Sequence, residues 1–317
     1  SGELLSITDP VLNWRHYPSG DVGVETLGVS VGNFSANIDT GGLVLDPCAR
    51  DSLSPVFIHQ QTVGGNPHAF MRIVDGDSSQ TMWQVDVGAI DLEVKATPII
   101  FDVDDDGVLE IIIVYDSNGQ GTVELWSPSI ECDVTGWKPG GSHETERLWR
   151  WSHSTFEMAA DKTCQTCHQP VAQPLLADLF LDGSPELILA MVDDINDEPN
   201  LVAIPLPVSG TPSPLWEVTL DDGTHPSDPA WVQIDEVSSA ILLTTMDENN
   251  GEMWIWRVNA ATGQVQYANT LNNLDGDTAS PHVRLPGPVI TQLDSDPAPE
   301  MVVTIPSDMD GASTSDG

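Results

Sequence analysis

The chain has 317 residues, and its 49 acidic side chains against 10 lysines and arginines give a formal net charge of -39 at pH 7. This charge argues against binding to nucleic acid or to an anionic membrane surface, because phosphate groups would be repelled. Apolar residues reach 40%, which indicates a folded domain rather than an acidic tail. The sequence has no run of about eighteen apolar residues, the length that would predict a membrane-spanning helix.

The first part of the chain predicts short β-strands. Residues 1–17 hold two strand-like runs, and residues 21–93 hold several more that are rich in β-branched and aromatic residues. Runs of this kind, separated by glycine, proline, asparagine and aspartate, are typical of strands in an all-β fold.

An acidic loop follows, between the apolar runs 98–101 and 111–115, which both predict buried strands. Aspartates at alternate positions, then glycine, then a closing acid suit calcium, which takes about six to eight oxygen ligands from a sharply turning loop. The candidate ligands are the side chains of Asp102, Asp104, Asp106 and Glu110 and the carbonyl of Val108. The alternative is a solvated acidic turn in a very acidic protein.

The letters DVDDDGVLE followed by IIIV, residues 102–114, resemble an FG-GAP or VCBS-type repeat, the blade unit of integrin-like β-propellers. Two later stretches resemble it more loosely. Their candidate calcium ligands are Asp178, Asp182 and Glu186 in the one and Asp294, Asp296 and Glu300 in the other. The resemblance implies a propeller with loop-bound calcium and an extracellular binding or scaffolding role, and it does not imply an enzyme.

The resemblance implies an all-β propeller, and the repeats divide residues 1–306 into about five four-stranded blades. The blades are assigned to residues 21–93, 96–155, 172–222, 228–272 and 286–306. Because the last segment lacks outer strands, residues 1–17 are expected to complete it, so that the N- and C-terminal strands close one blade and leave no open sheet edge. The alternative is that more blades follow. Residues 307–317 are expected to form a flexible acidic tail or linker.

A second motif lies in the predicted insertion 156–171. Cys164, Cys167 and His168 form Cys-x-x-Cys-His, the attachment motif for c-type haem, in which two thiols bind one porphyrin and the histidine ligates its iron. An axial ligand on the opposite face would set the reduction potential. The candidates nearby in sequence are Met158, His153 and His143, and the remaining histidines stay open.

Two other interpretations of these cysteines remain open. Cys164 and Cys167 could form a small disulfide, or they could be half of a zinc site together with Cys48 and Cys132 or nearby histidines. In the simplest arrangement Cys48 and Cys132 form a disulfide with each other, which sequence alone does not test.

No G-x-S-x-G nucleophile motif and no phosphate-binding glycine loop occurs, so we expect no enzyme. One hypothesis is a secreted, calcium-stabilised propeller scaffold that carries one covalent haem c and serves electron transfer or assembly. The other is a non-redox adhesion or structural propeller with a Cys164–Cys167 disulfide. Both place the chain outside the cell, on its surface or in the periplasm, with other proteins or surface components as partners in a homo- or hetero-oligomer.

Overall fold

The structure is a computed structural model of the 317-residue chain. It describes residues 2–5, 12–16, 26–34, 53–76, 78–89, 96–117, 120–133, 136–139, 146–157, 172–193, 198–221, 225–247, 252–271, 287–291 and 300–303. Every element in these ranges is a β-strand. The strands divide between two compact units, which are residues 1–118, 122–152 and 208–211 in the first and residues 119–121, 153–207 and 212–317 in the second.

The first unit contains two four-stranded antiparallel sheets, each formed from consecutive or nearly consecutive strands. One sheet has the order β3–β4–β5–β6, with β3 at Thr26–Gly32, β4 at Ser54–Val63, β5 at Asn66–Val74 and β6 at Thr81–Ala89. The other has the order β7–β8–β9–β12, with β7 at Ile99–Phe101, β8 at Glu110–Asp116, β9 at Gly121–Trp126 and β12 at Arg147–Ser152. Two hairpins accompany them, namely β1 (Gly2–Leu5) with β2 (Leu12–His16) and β10 (Ile130–Asp133) with β11 (Gly136–Pro139).

The core of this unit joins the two sheets. On β8, Ile111, Ile113 and Tyr115 alternate along one face and share a buried cluster with Ile58 and Trp83 of the other sheet. The alternation follows from the two-residue period of a strand. The opposite face of β8 is buried as well, since every side chain from Glu110 to Tyr115 is buried.

The second unit contains two further antiparallel sheets with the same meander of four strands. One has β14 (Leu175–Ala177), β15 (Glu186–Asp193), β16 (Pro199–Pro205) and β17 (Trp216–Thr219), and the short β13 (Phe156–Glu157) also pairs with β15. The other has β19 (Ala230–Gln233), β20 (Ser239–Asp247), β21 (Glu252–Asn259) and β22 (Val265–Leu271), and β18 (His225–Pro226) also pairs with β20. A hairpin of β23 (Val289–Thr291) and β24 (Glu300–Val302) follows.

The core of the second unit again joins its two large sheets. Ile188 and Ala190 of β15 share a buried cluster with Ile241 and Leu243 of β20. Leu187, on the opposite face of β15, is also completely buried. The central strands of both units are therefore apolar on both faces, unlike strands of a sheet with one solvated face.

The predicted all-β class is confirmed, with four-stranded antiparallel sheets. The hairpins β1–β2 and β23–β24 are two separate two-stranded sheets, so closure through one shared blade stays a prediction, as does the propeller itself. The hairpin β10–β11 was not anticipated, because its sequence carries no long apolar run.

Within the described ranges, no helix has the length and apolarity needed to cross a lipid bilayer.

Candidate metal centre

The connection between β7 and β8, residues 102–109, is named here the first acidic loop. Strand pairing sets its ends, because Phe101 lies opposite Glu110. Asp102 organises the turn: its Oδ1 accepts the N–H of Asp106 at 3.1 Å and its Oδ2 accepts the N–H of Gly107 at 2.9 Å. Asp106 Oδ1 accepts the N–H of Val108 at 2.7 Å. Aspartate side chains commonly stabilise turns in this way.

The turn brings three carboxylates together. Oxygen atoms of Asp102, Asp104 and Asp106 all lie within 4.8 Å of one another. Asp102 is half-buried, whereas Asp104 and Asp106 are exposed. Like charges at such separations repel one another, so a cation that binds all three would stabilise the loop. These are three of the predicted calcium ligands, and the structure groups them at one point.

Glu110 lies outside that group and supports the loop from the sheet. Its side chain is 3% exposed; Oε2 accepts the N–H of Val103 at 2.9 Å and Oε1 accepts the hydroxyl of Ser127 at 3.2 Å. Burial raises the pKa of the Glu110 carboxyl, and the nearby charges of Asp104 and Asp106 raise it further, against the lowering effect of the two hydrogen bonds. The N–H of Val108, the predicted carbonyl ligand, donates to Asp106 Oδ1. The role of its carbonyl as a ligand stays a prediction.

The connection between β14 and β15, residues 178–185, is named the second acidic loop, and it has the same hydrogen bonds. Asp178 Oδ1 accepts from Asp182 N at 3.0 Å and its Oδ2 from Gly183 N at 2.8 Å, while Asp182 Oδ1 accepts from Ser184 N at 2.9 Å. Glu186 Oε2 accepts from Leu179 N at 2.9 Å. Each bond has its counterpart in the first acidic loop.

The backbones of the two loops agree in their unusual conformations too. Asp105 has φ of 57° and Leu181 has φ of 58°, and the glycines that follow, Gly107 and Gly183, have φ of 86° and 92°. The loops differ at one ligand position, because Phe180 stands where the first loop has Asp104. The side chain of Phe180 is 44% exposed. The second loop therefore offers two aspartates on the same backbone.

The third predicted site lies mostly outside the described residues. Asp294 and Asp296 fall there, while Glu300 begins β24 and pairs with Thr291, the same nine-residue spacing as in the first two loops. The connection from β19 to β20 is shorter, since Gln233 pairs with Ser239, and it brings no three carboxylates together.

The predicted haem site also lies outside the described residues. This holds for Cys164, Cys167, His168, Met158 and His143. It also holds for Cys48 and for the side chain of Cys132, whose backbone is part of β10. The haem, disulfide and zinc interpretations all stay predictions.

Of the three axial candidates near the motif in sequence, His153 is the one that the structure describes. Its Nδ1 accepts the backbone N–H of Thr155 at 3.2 Å and of Phe156 at 3.0 Å. Nδ1 is therefore the unprotonated nitrogen, and Nε2 carries the hydrogen, which points to Glu217 Oε2 at 3.3 Å. Ligation of iron through Nε2 would require this contact to break.

A buried polar group on β9 was not predicted from the sequence. Glu124 is completely buried, accepts from Arg147 Nη1 at 3.1 Å and from Trp126 Nε1 at 3.0 Å, and has a pKa raised by burial. Arg150 lies over the ring of Tyr115 at 5.9 Å. The sequence did contain a signal for this buried pair: an acid lies within the apolar run GTVELW, and the strand that pairs with it carries two arginines. The Glu124 carboxylate is therefore paired with groups of its own sheet.

No protein-family model and no curated protein matches the chain. A crystal structure of the rhamnogalacturonan lyase YesW is similar with 13% identity and a TM-score of 0.42, over 89% of this chain and 55% of that one. A crystal structure of the V. cholerae biofilm matrix protein Bap1 is similar with 15% identity and a TM-score of 0.37, over 80% and 40%. The chain spans about half the length of these proteins, and similarity at this level assigns it neither a fold family nor an activity.

Proposed function

We propose that this protein is a calcium-stabilised β-propeller scaffold that works outside the cell, on its surface or in the periplasm, by holding other proteins or surface components. One observation carries the calcium part. The first acidic loop brings three carboxylates to one point, and two of them, Asp102 and Asp106, are held by hydrogen bonds to the backbone of the loop.

The distances fit calcium. Two oxygens that each lie about 2.3–2.6 Å from one ion are at most about 5.2 Å apart. The carboxylate oxygens of Asp102, Asp104 and Asp106 meet this limit, since they lie within 4.8 Å of one another. Carboxylate and carbonyl oxygens are the ligands that calcium prefers, and exposed aspartates leave room for water to complete the coordination.

The propeller part rests on the repeated sheets. Four consecutive segments each form a four-stranded antiparallel meander, and the central strands β8 and β15 are buried on both faces. Sheets stacked around a centre bury their inner strands in this way, with only short edges exposed. The net charge of -39 suits a surface that carries bound cations.

Thermal unfolding in calcium and in excess chelator tests the calcium site. An ion present at about a hundred times its Kd stabilises the folded state by about 2.7 kcal/mol, which corresponds to a Tm shift of about 5 °C. Asp104→Asn should remove most of this shift. Asp105→Asn is the matched control. It removes the same charge from the adjacent residue, which is not part of the cluster of Asp102, Asp104 and Asp106. Equal shifts in both variants would contradict the assignment.

The scaffold role is tested by chemical cross-linking in the native host, followed by mass spectrometry of the linked peptides. The proposal expects cross-links to other surface or matrix proteins, or to further copies of this chain. A chain that is recovered only as an uncross-linked monomer, and that turns over a substrate, would contradict it.

A second candidate function adds one covalent haem c and electron transfer to the same scaffold. It is favoured by the motif of Cys164, Cys167 and His168, which lies between β13 and β14 in sequence. When bound, the haem would supply one-electron redox chemistry. Its test is the visible spectrum of protein isolated from its native host, before and after reduction with dithionite. Sharp bands on reduction that survive acid-acetone extraction would support it, and a featureless spectrum would remove it.

A further inference from the structure

The outer edge of the sheet β19–β22 has a groove that neither the calcium site nor the haem motif explains. The groove is shallow and open to solvent, with a volume of about 700 Å³. Its lining combines one cation, one aromatic ring and two amides with a single apolar side chain. The lining residues are Arg257, Gln264, Val265, Gln266 and Tyr267.

Arg257 is the unusual member of this set. Its Nε is buried and has no hydrogen-bond partner, and Arg257 forms no ion pair with any residue that the structure describes. A buried N–H donor without an acceptor is unfavourable. In a chain with 49 acidic side chains, a cation without a carboxylate partner among the described residues stands out. Arg257 also lines the groove, and its charge attracts an anionic group of a ligand there.

Tyr267 supplies a flat apolar surface beside this donor. It is directly opposite Arg257 in the pairing of β21 with β22, and its side chain is 51% exposed. An exposed aromatic ring next to a cation can cover one face of a ligand ring while the cation binds a group on its rim.

A β-bulge shapes the groove. Arg257 pairs with Tyr267 and Val258 pairs with Val265, so Gln266 is an extra residue on β22 without a partner of its own. Bulges redirect side chains and occur often beside functional sites. Here the bulge falls among the lining residues, where the amides of Gln264 and Gln266 offer both donors and acceptors.

We propose that this groove binds an acidic sugar, such as a uronate unit of a glycan. The ligand carboxylate accepts a hydrogen bond from Arg257, the sugar ring lies on Tyr267, and the ring hydroxyls exchange hydrogen bonds with Gln264 and Gln266. The charged, aromatic and amide side chains of the groove thus each meet a complementary group of the same acidic sugar. The inference is independent of calcium, because the groove belongs to the second unit and the first acidic loop to the first.

The experiment compares two probes with the full chain: a β-linked oligoglucuronate and the neutral β-linked oligoglucose of the same length, which differ only in the oxidation of C6. Binding is measured by saturation-transfer NMR and by titration at physiological salt, in excess chelator. The proposal expects the oligoglucuronate to bind at least about tenfold more tightly than the neutral probe, because a hydrogen bond to a charged group is worth that factor or more.

Variants connect the binding to the groove. Arg257→Gln and Tyr267→Ala should each weaken oligoglucuronate binding at least about tenfold, whereas Tyr267→Phe, which keeps the ring, should bind like the native chain. Gln233→Ala, an exposed glutamine on β19 outside the groove, is the control, and unchanged thermal unfolding shows that each variant folds. No binding of the oligoglucuronate, equal binding of both probes, or binding unchanged in Arg257→Gln would overturn the proposal.

Discussion

The first and second acidic loops have the same backbone but different side chains, and the difference separates what shapes a loop from what binds an ion. In each loop an aspartate accepts two backbone N–H groups, a second aspartate accepts one, and a buried glutamate anchors the start. The second loop keeps this conformation with Phe180 at the position of Asp104. The loop fold therefore needs only the two aspartates, the glycine and the glutamate, and the third carboxylate is free to serve a ligand.

The largest expected effects come from the two anchoring glutamates. Glu110→Ala and Glu186→Ala should each lower the free energy of unfolding by about 1–3 kcal/mol, because each leaves a backbone N–H, of Val103 or Leu179, without its acceptor. Urea unfolding in chelator measures the loss. Glutamine at either position keeps an acceptor oxygen and should recover most of it.

The exposed Glu236 in the connection from β19 to β20 gives the matched control, since Glu236→Ala removes an acid that is not buried. If the two anchoring variants lowered the free energy of unfolding no more than this control, the shared loop architecture would not depend on the glutamates.

Gly107→Ala and Gly183→Ala should have smaller and equal effects. Both glycines have positive φ, at 86° and 92°, and an added Cβ would meet nothing within 4 Å in either loop. The cost is therefore backbone strain alone, about 1–2 kcal/mol in each case. The same unfolding experiment compares them. A difference of more than about 1 kcal/mol between the two would show that the loops are not equivalent scaffolds.

The smallest effect is a pH dependence. Burial raises the pKa of Glu110 and of Glu186 above the ordinary value of 4.5, and neighbouring aspartates raise both further. A carboxyl group whose pKa is higher in the folded state contributes stability that is fully present below pH 4.5 and is lost as the pH rises through its raised pKa.

In chelator, the stability of the native chain relative to Glu110→Gln should therefore fall as the pH rises from 4.5 toward neutrality. Calcium at the first acidic loop should reduce this fall only in part, because it neutralises Asp104 and Asp106 and leaves the larger effect of burial on the pKa of Glu110 unchanged. A relative stability that rises over this range would contradict the assigned direction.

Local patterns in the sequence predicted the strands beside the first acidic loop and the positions of both acidic loops. Apolar runs of β-branched residues gave β7 and β8 within one residue at each end, and the spacing of acids gave both loops. The loops were predictable because their bonds join residues at most seven positions apart. The position of Glu110 under the loop was not, because it depends on its burial in the sheet and on Ser127, which lies seventeen residues away.

Features that depend on strand register escaped prediction. The groove needs Arg257 opposite Tyr267 and a bulge at Gln266, and no local signal in a single sequence specifies which residues will pair or where the ladder slips. The cluster around Glu124 depends in the same way on the pairing of β9 with β12. The arrangement of the sheets and the haem site remain predictions.

The most direct test of the central claim is the calcium stoichiometry of Phe180→Asp, measured by isothermal titration calorimetry beside the native chain and beside Phe180→Asn. If the backbone of the second acidic loop is already shaped for an ion and lacks only the third carboxylate, Phe180→Asp should bind one more calcium than the native chain, and Phe180→Asn should not. If Phe180→Asp bound no more calcium than Phe180→Asn, the shared loop architecture would not be a calcium site awaiting its ligand, and the assignment of the first loop would lose its support.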